Sequence, residues 1–168
     1  YAVEVALQLC ENHEGDVTAL SIAKEDEKEA LKIAIAMGCK DAIRITDSAI
    51  NALDTLACAK ILTAAINKIG AVDLVCMGLQ SIDHNYGVTA VQTARLLGWQ
   101  CVTLVSKINS LDMEKKIIQI ERVLDEGKQS LEVKLPLVIS FVKEIAVPRY
   151  PSFLGIRKAA KAQIVQWN

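Results

Sequence analysis

The sequence predicts an α/β protein in which a parallel sheet is extended by antiparallel strands. As far as Gly98, segments with helical spacing of apolar residues alternate with short apolar runs of the kind found in buried strands. After Gly98 the chain changes to runs of β-branched residues separated by turn signals. The length of 168 residues and the 52% hydrophobic content predict one domain over residues 1–168.

The first part of the chain alternates helix and strand in regular order. That order requires parallel strands joined by right-handed crossovers. Gly38 and Gly70 end two of the helices, because glycine readily adopts the left-handed conformation that closes a helix. In chain order the predicted elements are a helix over 1–12, a strand over 17–22, a helix over 27–37, a strand over 42–46, a helix over 51–69, a strand over 73–78 and a helix over 89–97.

The second part of the chain predicts antiparallel strands and a final helix. Pro148 and Pro151 bracket an extended loop, and a basic helix over about 154–162 follows it. On one of the predicted strands Glu121 and Arg122 face opposite sides, so an inward arginine that meets an anion and an edge arginine in solvent both remain open. The predicted strands cover 101–106, 116–124, 130–134 and 137–142.

Charge and cysteine content exclude several classes of protein. The 19 basic and 20 acidic residues nearly cancel, so no nucleic acid and no anionic membrane is predicted as partner. No apolar run reaches the roughly 20 residues of a membrane span, which predicts a soluble protein. The five cysteines form no CxxC pair, so mostly buried thiols are expected rather than a disulfide framework or a zinc site. Tyr1 opens directly into an apolar helical face without an initiator Met, so residues upstream are expected to be missing.

The polar loop between Gly78 and Thr89 is the best candidate for a ligand site. It follows the carboxyl end of a predicted parallel strand and leads into a helix N-terminus, where open α/β sheets bind ligands. Its amide and hydroxyl groups suit a phosphate or a ribose, whereas the alternative is a polar turn capped by Thr89. His84 stands in this loop without a neighbouring nucleophile, so no catalytic residue and no metal site are predicted.

The segment over 147–156 predicts a protein contact. It combines two prolines with two aromatic side chains and an apolar tip, and basic residues follow it. An exposed apolar tip on a proline-stiffened loop lowers solubility unless a partner covers it. A contact loop and helix over 143–161 is therefore favoured over a plain linker.

A long ordered series of motifs resembles the beta (small) subunits of electron transfer flavoproteins. The series covers essentially the whole chain, which makes it far more specific than any one motif. Upstream, Gly78-x-Gln80-Ser81-x-Asp83 falls in the family's order. The two most telling blocks are Ile120-x-Arg122-x-x-Asp125-Glu126-Gly127-x-Gln129-x-Leu131, with Pro136-x-Val138-Ile139-Ser140 after it, and Pro148-Arg149-Tyr150-Pro151-Ser152 through Lys158.

The resemblance implies a Rossmann-like parallel sheet of the adenine-nucleotide α-hydrolase type. It implies pairing with a larger alpha subunit that holds the redox-active FAD, while the beta subunit holds AMP, or a second FAD in electron-bifurcating members. The implied function is an electron carrier, not an enzyme, that accepts electrons from acyl-CoA or similar dehydrogenases and passes them to a respiratory or other acceptor. The family's first strand and its carboxyl-terminal arm lie outside residues 1–168, so the domain is expected to be truncated at both ends.

The resemblance also implies two sets of site residues. In the nucleotide set Gly87, Val88, Ala90 and Ala23 depart from the residues usual in the family, so side-chain contacts to phosphate are less assured there. The implied nucleotide contacts are Ile22, Ala23, Asp83, Asn85, Gly87, Val88, Thr89, Ala90 and Val91. The implied dehydrogenase contacts are Arg149, Tyr150, Phe153, Leu154, Lys158 and Lys161.

Two other interpretations remain open beside the electron carrier. A stand-alone nucleotide-binding module of the universal-stress type shares the order of strands and helices, but it leaves the segment after Pro148 unexplained. A hydrolase or ligase of the same fold requires a nucleophile or metal carboxylates beside a phosphate loop, and the sequence offers no such cluster. The absence of a targeting segment favours the bacterial cytoplasm, or the mitochondrial matrix if the source is eukaryotic.

Overall fold

A computed structural model of the chain describes residues 1–24, 27–47, 54–82 and 85–168. The contacts divide the chain into two units. The large unit comprises Tyr1–Ala2 and Asp54–Val147, and the small unit comprises Val3–Leu53 and Pro148–Asn168. In chain order the elements are α1 Ala2–His13, β1 Thr18–Ile22, α2 Glu29–Met37, β2 Asp41–Ile45, α3 Thr55–Ile69, β3 Leu74–Gly78, α4 Thr89–Leu97, β4 Gln100–Asp112, β5 Ile117–Leu124, β6 Gly127–Lys134, β7 Leu137–Phe141, a short 3-10 helix Lys143–Ile145, α5 Phe153–Lys161 and β8 Val165–Trp167.

The small unit is built on a parallel sheet of three strands in the order β1-β2-β8. Apolar residues three and four apart give α2 one buried face, since Leu31, Ala34 and Ile35 are all buried. That face packs with Ala42 of β2 and Ala159 of α5 in one core cluster. Residues from both ends of the chain therefore complete this core.

The large unit is built on a five-stranded sheet in the order β3-β7-β4-β5-β6. The strands β3, β7 and β4 run parallel, and β4, β5 and β6 form an antiparallel meander. Every residue of β7 is fully buried, as expected for an apolar strand between two parallel neighbours with helices on the sheet. Ala90 and Ala94 of α4 pack on Val138 of this strand.

The predicted fold class is confirmed: the chain is α/β, with parallel strands and an antiparallel extension. The strands form two sheets, however, and β8 was not predicted, because three residues are too few to show a periodic pattern. The first part of the helix predicted over 51–69 falls at 51–53, outside the described residues. As described, α3 begins at Thr55, and the Asp54 side chain caps it by accepting a hydrogen bond from the Ala57 N–H at 2.7 Å.

The strand β4 is twice as long as the sequence predicts. It was expected over 101–106 and continues to Asp112, as an antiparallel ribbon with β5 whose outer residues are largely exposed. Its pairing with β7 shifts register between Val102 and Val105, and Leu104 has a φ of 62° at that point. Alternation of apolar residues is lost at such a bulge, which hid the second half of the strand.

Candidate functional site

The loop between β3 and α4 follows the carboxyl end of a parallel strand in the large unit. Asn85 and Gly87 have φ angles of 53° and 63°, in the left-handed region that glycine and asparagine tolerate best. The Asn85 N–H donates to the Ser81 carbonyl at 3.1 Å. Asp83 and His84 lie outside the described residues.

Within the described residues, no side chain is found to cap the N-terminus of α4 from its N-cap position. Val88 occupies the N-cap position and makes no capping hydrogen bond. The alternative in which Thr89 caps a polar turn is wrong, because Thr89 is the first helical residue and its carbonyl accepts from the Thr93 hydroxyl at 2.8 Å. The N–H groups of Thr89, Ala90 and Val91 belong to the first turn, which has no intrahelical carbonyl to bond. These N–H groups and the helix dipole suit an anion.

The side chains around this helix start differ in what they can offer a ligand. Ala90 is buried against the sheet, so it can present only its backbone. Val88 and Val91 are exposed, and Asn85 is exposed as well. A ligand here would meet backbone N–H groups flanked by two aliphatic side chains and one amide.

Ile22 and Ala23 lie at the carboxyl end of β1, in the small unit. Ala23 is buried, and its N–H donates to the Ile45 carbonyl at 3.0 Å. The next residue, Lys24, has its N–H bonded to the Glu27 carboxylate at 2.9 Å. The backbone after β1 is therefore fixed by hydrogen bonds within its own unit.

Arg44 is a buried cation that the sequence analysis missed. It is 3% exposed on β2. Its guanidinium donates to the Lys24 carbonyl at 3.2 Å and to the Gln166 side-chain oxygen at 2.6 Å. The signal was an arginine inside the apolar strand Asp41–Ile45, where a charged residue must find partners. Arg44 thus ties the loop after β1 to β8.

The predicted contact segment exposes its apolar tip. We call Phe153 and Leu154, the first two residues of α5, the docking tip; they are 79% and 74% exposed. The hydroxyl of Ser152 caps the helix by accepting from the Gly155 N–H at 3.0 Å. Tyr150, at 95% exposure, lies just before this cap.

Cations line the other end of α5. Lys158 and Lys161 lie in its last turn, where positive charge is favourable to the helix dipole, and both are exposed. Arg157 beside them is exposed too. The segment thus offers an apolar tip followed by a positively charged stretch.

Arg149 makes the densest set of polar contacts described in the small unit. We call Arg149, Glu4 and Glu11 the carboxylate clamp. Arg149 donates to Glu4 from its backbone N–H at 3.0 Å, from Nε at 2.8 Å and from Nη2 at 2.9 Å. It also donates to both oxygens of Glu11, from Nη1 and, at 3.2 Å, from Nη2. The guanidinium predicted to contact a dehydrogenase is thus bonded to α1.

Glu4 is the buried member of the clamp. It is 3% exposed, and Gln8 Nε2 donates at 2.8 Å to its Oε1, the oxygen that also accepts from Arg149 Nη2. The hydrogen bonds from Arg149 hold the pKa of Glu4 at about 2, against a usual 4.5, although burial alone would raise it. The same contacts raise the pKa of Arg149. Both groups are therefore charged at every pH the protein is expected to meet.

Two open points of the sequence analysis concern Arg122 and the cysteines. Arg122 is partly buried on β5, an inner strand between β4 and β6, so it is not an edge arginine. Its Nε donates to Gln129 Oε1 at 2.7 Å across the β5–β6 hairpin. Cys39 is buried, and burial raises its pKa to about 11. The other four cysteines are only partly buried, so the expectation of mostly buried thiols is met by Cys39 alone.

No helix within the described ranges is long and apolar enough to cross a membrane. The longest described helix, α3, has 15 residues. A bilayer requires roughly 20.

Comparison with known proteins identifies relatives along the whole chain. The family model described as "Electron transfer flavoprotein domain" matches residues 1–168. An electron transfer flavoprotein subunit beta from Thermoanaerobacterium thermosaccharolyticum is 38% identical over 94% of this chain and 59% of its own length. The protein FixA of Azorhizobium caulinodans is 33% identical over 100% and 61%, respectively. A subunit of the caffeyl-CoA reductase-Etf complex of Acetobacterium woodii, CarD, is 35% identical over 99% and 63%.

The chain spans about 60% of the length of the curated relatives it matches. Relatives named as electron transfer flavoprotein beta subunits also occur in Clostridium acetobutylicum, at 34% identity over 99% of this chain. The similarity therefore extends over nearly every residue of the chain, in the order that the sequence motifs indicated.

Proposed function

This chain belongs to the electron transfer flavoprotein domain family, and on that premise we propose that it forms most of the beta subunit of a heterodimeric electron carrier. The match of the family model to residues 1–168 carries the proposal. The partner is an alpha subunit that makes most of the contacts to the FAD. Electrons arrive from a dehydrogenase and leave to a respiratory or other acceptor. This chain supplies structure, a nucleotide site and a docking surface, and no catalytic residue.

The proposed nucleotide site of the large unit is the start of α4. Thr89, Ala90 and Val91 offer backbone N–H groups to a phosphate of AMP, or of a second FAD in a bifurcating protein. The helix start supports this assignment, because the side chain at its N-cap position, Val88, accepts no hydrogen bond from the first-turn N–H groups. Bound AMP serves structure, whereas a second FAD would add a redox centre.

The remaining proposed nucleotide contacts lie beside the helix start and at the end of β1. Asn85 and Val88 are exposed beside the helix start, and Asp83 lies outside the described residues. In the small unit, Ile22 and Ala23 are proposed because they end a parallel strand, the position at which such sheets bind ligands.

The proposed docking surface for the dehydrogenase is the docking tip with Tyr150, Lys158 and Lys161. Large apolar side chains at 74% exposure or more are rare on a surface that nothing covers, so the tip supports a protein contact. The lysines would complement an acidic rim on the partner and speed encounter. CarD is named as part of a complex with a caffeyl-CoA reductase, so oxidoreductases acting on CoA thioesters are the partner class proposed.

The universal-stress interpretation gains no support from these observations. The family match covers the segment after Pro148, which that interpretation left unexplained. It makes a clear contrary prediction, because such a module would stay alone and colourless and would bind ATP.

The test is to co-express the full-length protein with the product of the neighbouring gene, purify the complex, and identify released cofactors by absorbance and mass spectrometry. A yellow heterodimer with one FAD and one AMP is expected, and two FAD would indicate bifurcation. A colourless protein that elutes alone would contradict the proposed function.

The docking role has its own test, which is to replace the docking tip in that complex. Phe153→Ala with Leu154→Ala should raise the apparent KM for the dehydrogenase at least about thirtyfold, because two anchor residues worth more than ~1 kcal/mol each together contribute more than ~2 kcal/mol. Subunit assembly and flavin content should stay unchanged. Leu56→Ala, at a leucine of α3 that is 43% exposed, is the matched control. An unchanged KM in the tip variant would refute the docking role.

A further inference from the structure

The docking tip is exposed, yet the chain on both sides of it is fixed to the small unit. Four residues before Phe153, Arg149 is bonded to Glu4 and Glu11 of α1. Immediately after Leu154, the backbone of α5 approaches α2. We propose that Glu4, Arg149 and Gly155 are positioning residues, which hold the docking tip in its binding-competent place before a dehydrogenase arrives.

The carboxylate clamp is the attachment before the tip. Three hydrogen bonds run from Arg149 to the one carboxylate of Glu4, which is 3% exposed. Paired guanidinium and carboxylate groups of this kind are strong and fix orientation as well as distance. One of the three bonds comes from the Arg149 backbone, so the clamp fixes the main chain that leads into Ser152 and the tip.

Gly155 is the attachment after the tip. A Cβ atom at this position would lie 2.2 Å from the carbonyl oxygen of Ala36, at the end of α2. Only a glycine permits this approach of the two helices. One turn further on, Ala159 is buried in the core cluster with Leu31 and Ile35. The first turn of α5 is thereby seated on α2.

The docking tip sits between these two attachments, so its backbone is restrained while its side chains remain free to meet a partner. Binding by an ordered backbone loses less conformational freedom than binding by a loose loop. Loss of an attachment should therefore weaken docking without changing the electron transfer step that follows it. The inference rests on the proposed docking role of the tip.

Glu4 separates positioning from direct contact. Because Glu4 is buried, a dehydrogenase cannot touch it. If Arg149 itself bound the partner, Glu4→Gln would loosen the guanidinium, which Glu11 would still hold, and would strengthen docking. If the clamp positions the tip, Glu4→Gln weakens docking. The two roles thus predict effects of opposite sign.

The experiment uses the full-length heterodimer and an acyl-CoA dehydrogenase that reduces the wild-type complex. We expect Glu4→Gln to raise the KM about tenfold at unchanged kcat, and to speed hydrogen exchange of the amides over 150–161. In the background of Phe153→Ala with Leu154→Ala, Glu4→Gln should add no further rise in KM. Asp16→Asn, which removes an exposed ion pair with Lys40 in the same unit, is the matched control and should change neither quantity.

Three results would overturn the inference. The first is an unchanged KM and unchanged hydrogen exchange in Glu4→Gln. The second is that Glu4→Gln raises KM equally in the wild-type background and in the background of the tip variant. The third is that Glu4→Gln lowers KM. If Glu4→Gln fails to fold, Arg149→Lys can replace it as the test variant. Lysine keeps the positive charge but loses the bidentate guanidinium geometry, so the same results are expected. Failure of the docking role itself is distinguishable, since the tip variant alone would then leave KM unchanged.

Discussion

The helices α4 and α5 begin in opposite ways. At the start of α5 the Ser152 hydroxyl accepts from the Gly155 N–H, and two large apolar side chains point to solvent. At the start of α4 Val88 provides no cap, and the exposed flank carries backbone N–H groups beside valines. The N–H groups of an open helix start can bind an anion, whereas at a capped start a side chain already occupies one of them. In the proposed roles, one kind of element would serve two recognition tasks that differ in the residue at the cap position.

The largest effect on the start of α5 is expected from a substitution of Glu4, because Glu4 binds Arg149 in the segment that leads into this helix. Its pKa is about 2 in the folded protein, against a usual 4.5, so the unfolded chain binds more protons between those values. The free energy of unfolding should fall as the pH drops from about 4.5 to about 2. At pH 7, Glu4→Gln should lower the free energy of unfolding by about 2 kcal/mol, a figure reduced for the solvent exposure of Arg149.

Urea unfolding of the full-length protein at pH 7 and pH 3 measures this effect. The wild type should lose stability between the two pH values more than Glu4→Gln does, with Asp16→Asn behaving like the wild type. Equal losses in the wild type and in Glu4→Gln would show that the clamp does not stabilise the fold.

An effect of similar size is expected from Gly155→Ala, which would push α5 away from α2. Helix propensity alone would make alanine more stable than glycine by roughly 1 kcal/mol. A Cβ atom at position 155 would lie 2.2 Å from the Ala36 carbonyl oxygen, so the backbone must move. We therefore expect the opposite sign, a decrease of about 2 kcal/mol in the free energy of unfolding. Thermal unfolding checks it, with Gly78→Ala as control, since no atom lies within 4 Å of a Cβ there. A stabilised Gly155→Ala variant would contradict the close packing.

The next prediction converts α4 into a capped helix. In Val88→Asp the carboxylate would accept from the first-turn N–H groups and repel a phosphate, so the affinity for AMP should fall about tenfold. Helix stability should rise by about 0.5–1 kcal/mol at the same time. Calorimetric titration with AMP and a melting curve measure the two effects. Val88→Asn would cap the helix without adding a charge, so its affinity for AMP should fall less. Equal AMP affinity in the wild type and both variants would show that the nucleotide does not bind at this helix start.

The smallest effect is expected from uncapping α5. Ser152→Ala removes the acceptor for the Gly155 N–H and should lower the free energy of unfolding by about 1 kcal/mol. Docking should weaken severalfold at most, because the clamp and the Gly155 contact remain. Melting temperature and KM of the variant can be compared with those of Ser152→Thr, which keeps a hydroxyl. A loss in Ser152→Thr as large as in Ser152→Ala would mean that the cap is not the cause.

Sequence reasoning predicted best where a local pattern carries the structure. The apolar run over 137–142 indicated a strand, and β7 forms there with every residue buried. The expectation that it is antiparallel is wrong, because β7 pairs in parallel with both β3 and β4. The prolines and aromatics after Val147 indicated an exposed apolar tip, and Phe153 and Leu154 are exposed. In both cases residues close in the chain share one environment, so composition alone reveals it.

Pairings between distant residues escaped the sequence. Glu4 and Arg149 are 145 positions apart, and nothing in either neighbourhood marks the other as a partner. The same holds for Arg44 and Gln166, which are 122 positions apart. The uncapped start of α4 also escaped, because Thr89 is the better cap former by type and Val88 holds the cap position only through the path of the backbone. Long-range geometry, not propensity, decides these features.

The small unit takes its core from two stretches separated by the whole large unit, 3–53 and 148–168. During synthesis the ribosome releases the first stretch long before Ala159 and β8 exist, so α2 and β2 must wait with an unfilled apolar face. The described strands of the large unit end at Phe141, so all of them are synthesised before α5. Folding of the core shared by α2, β2 and α5 is therefore expected to follow the arrival of α5.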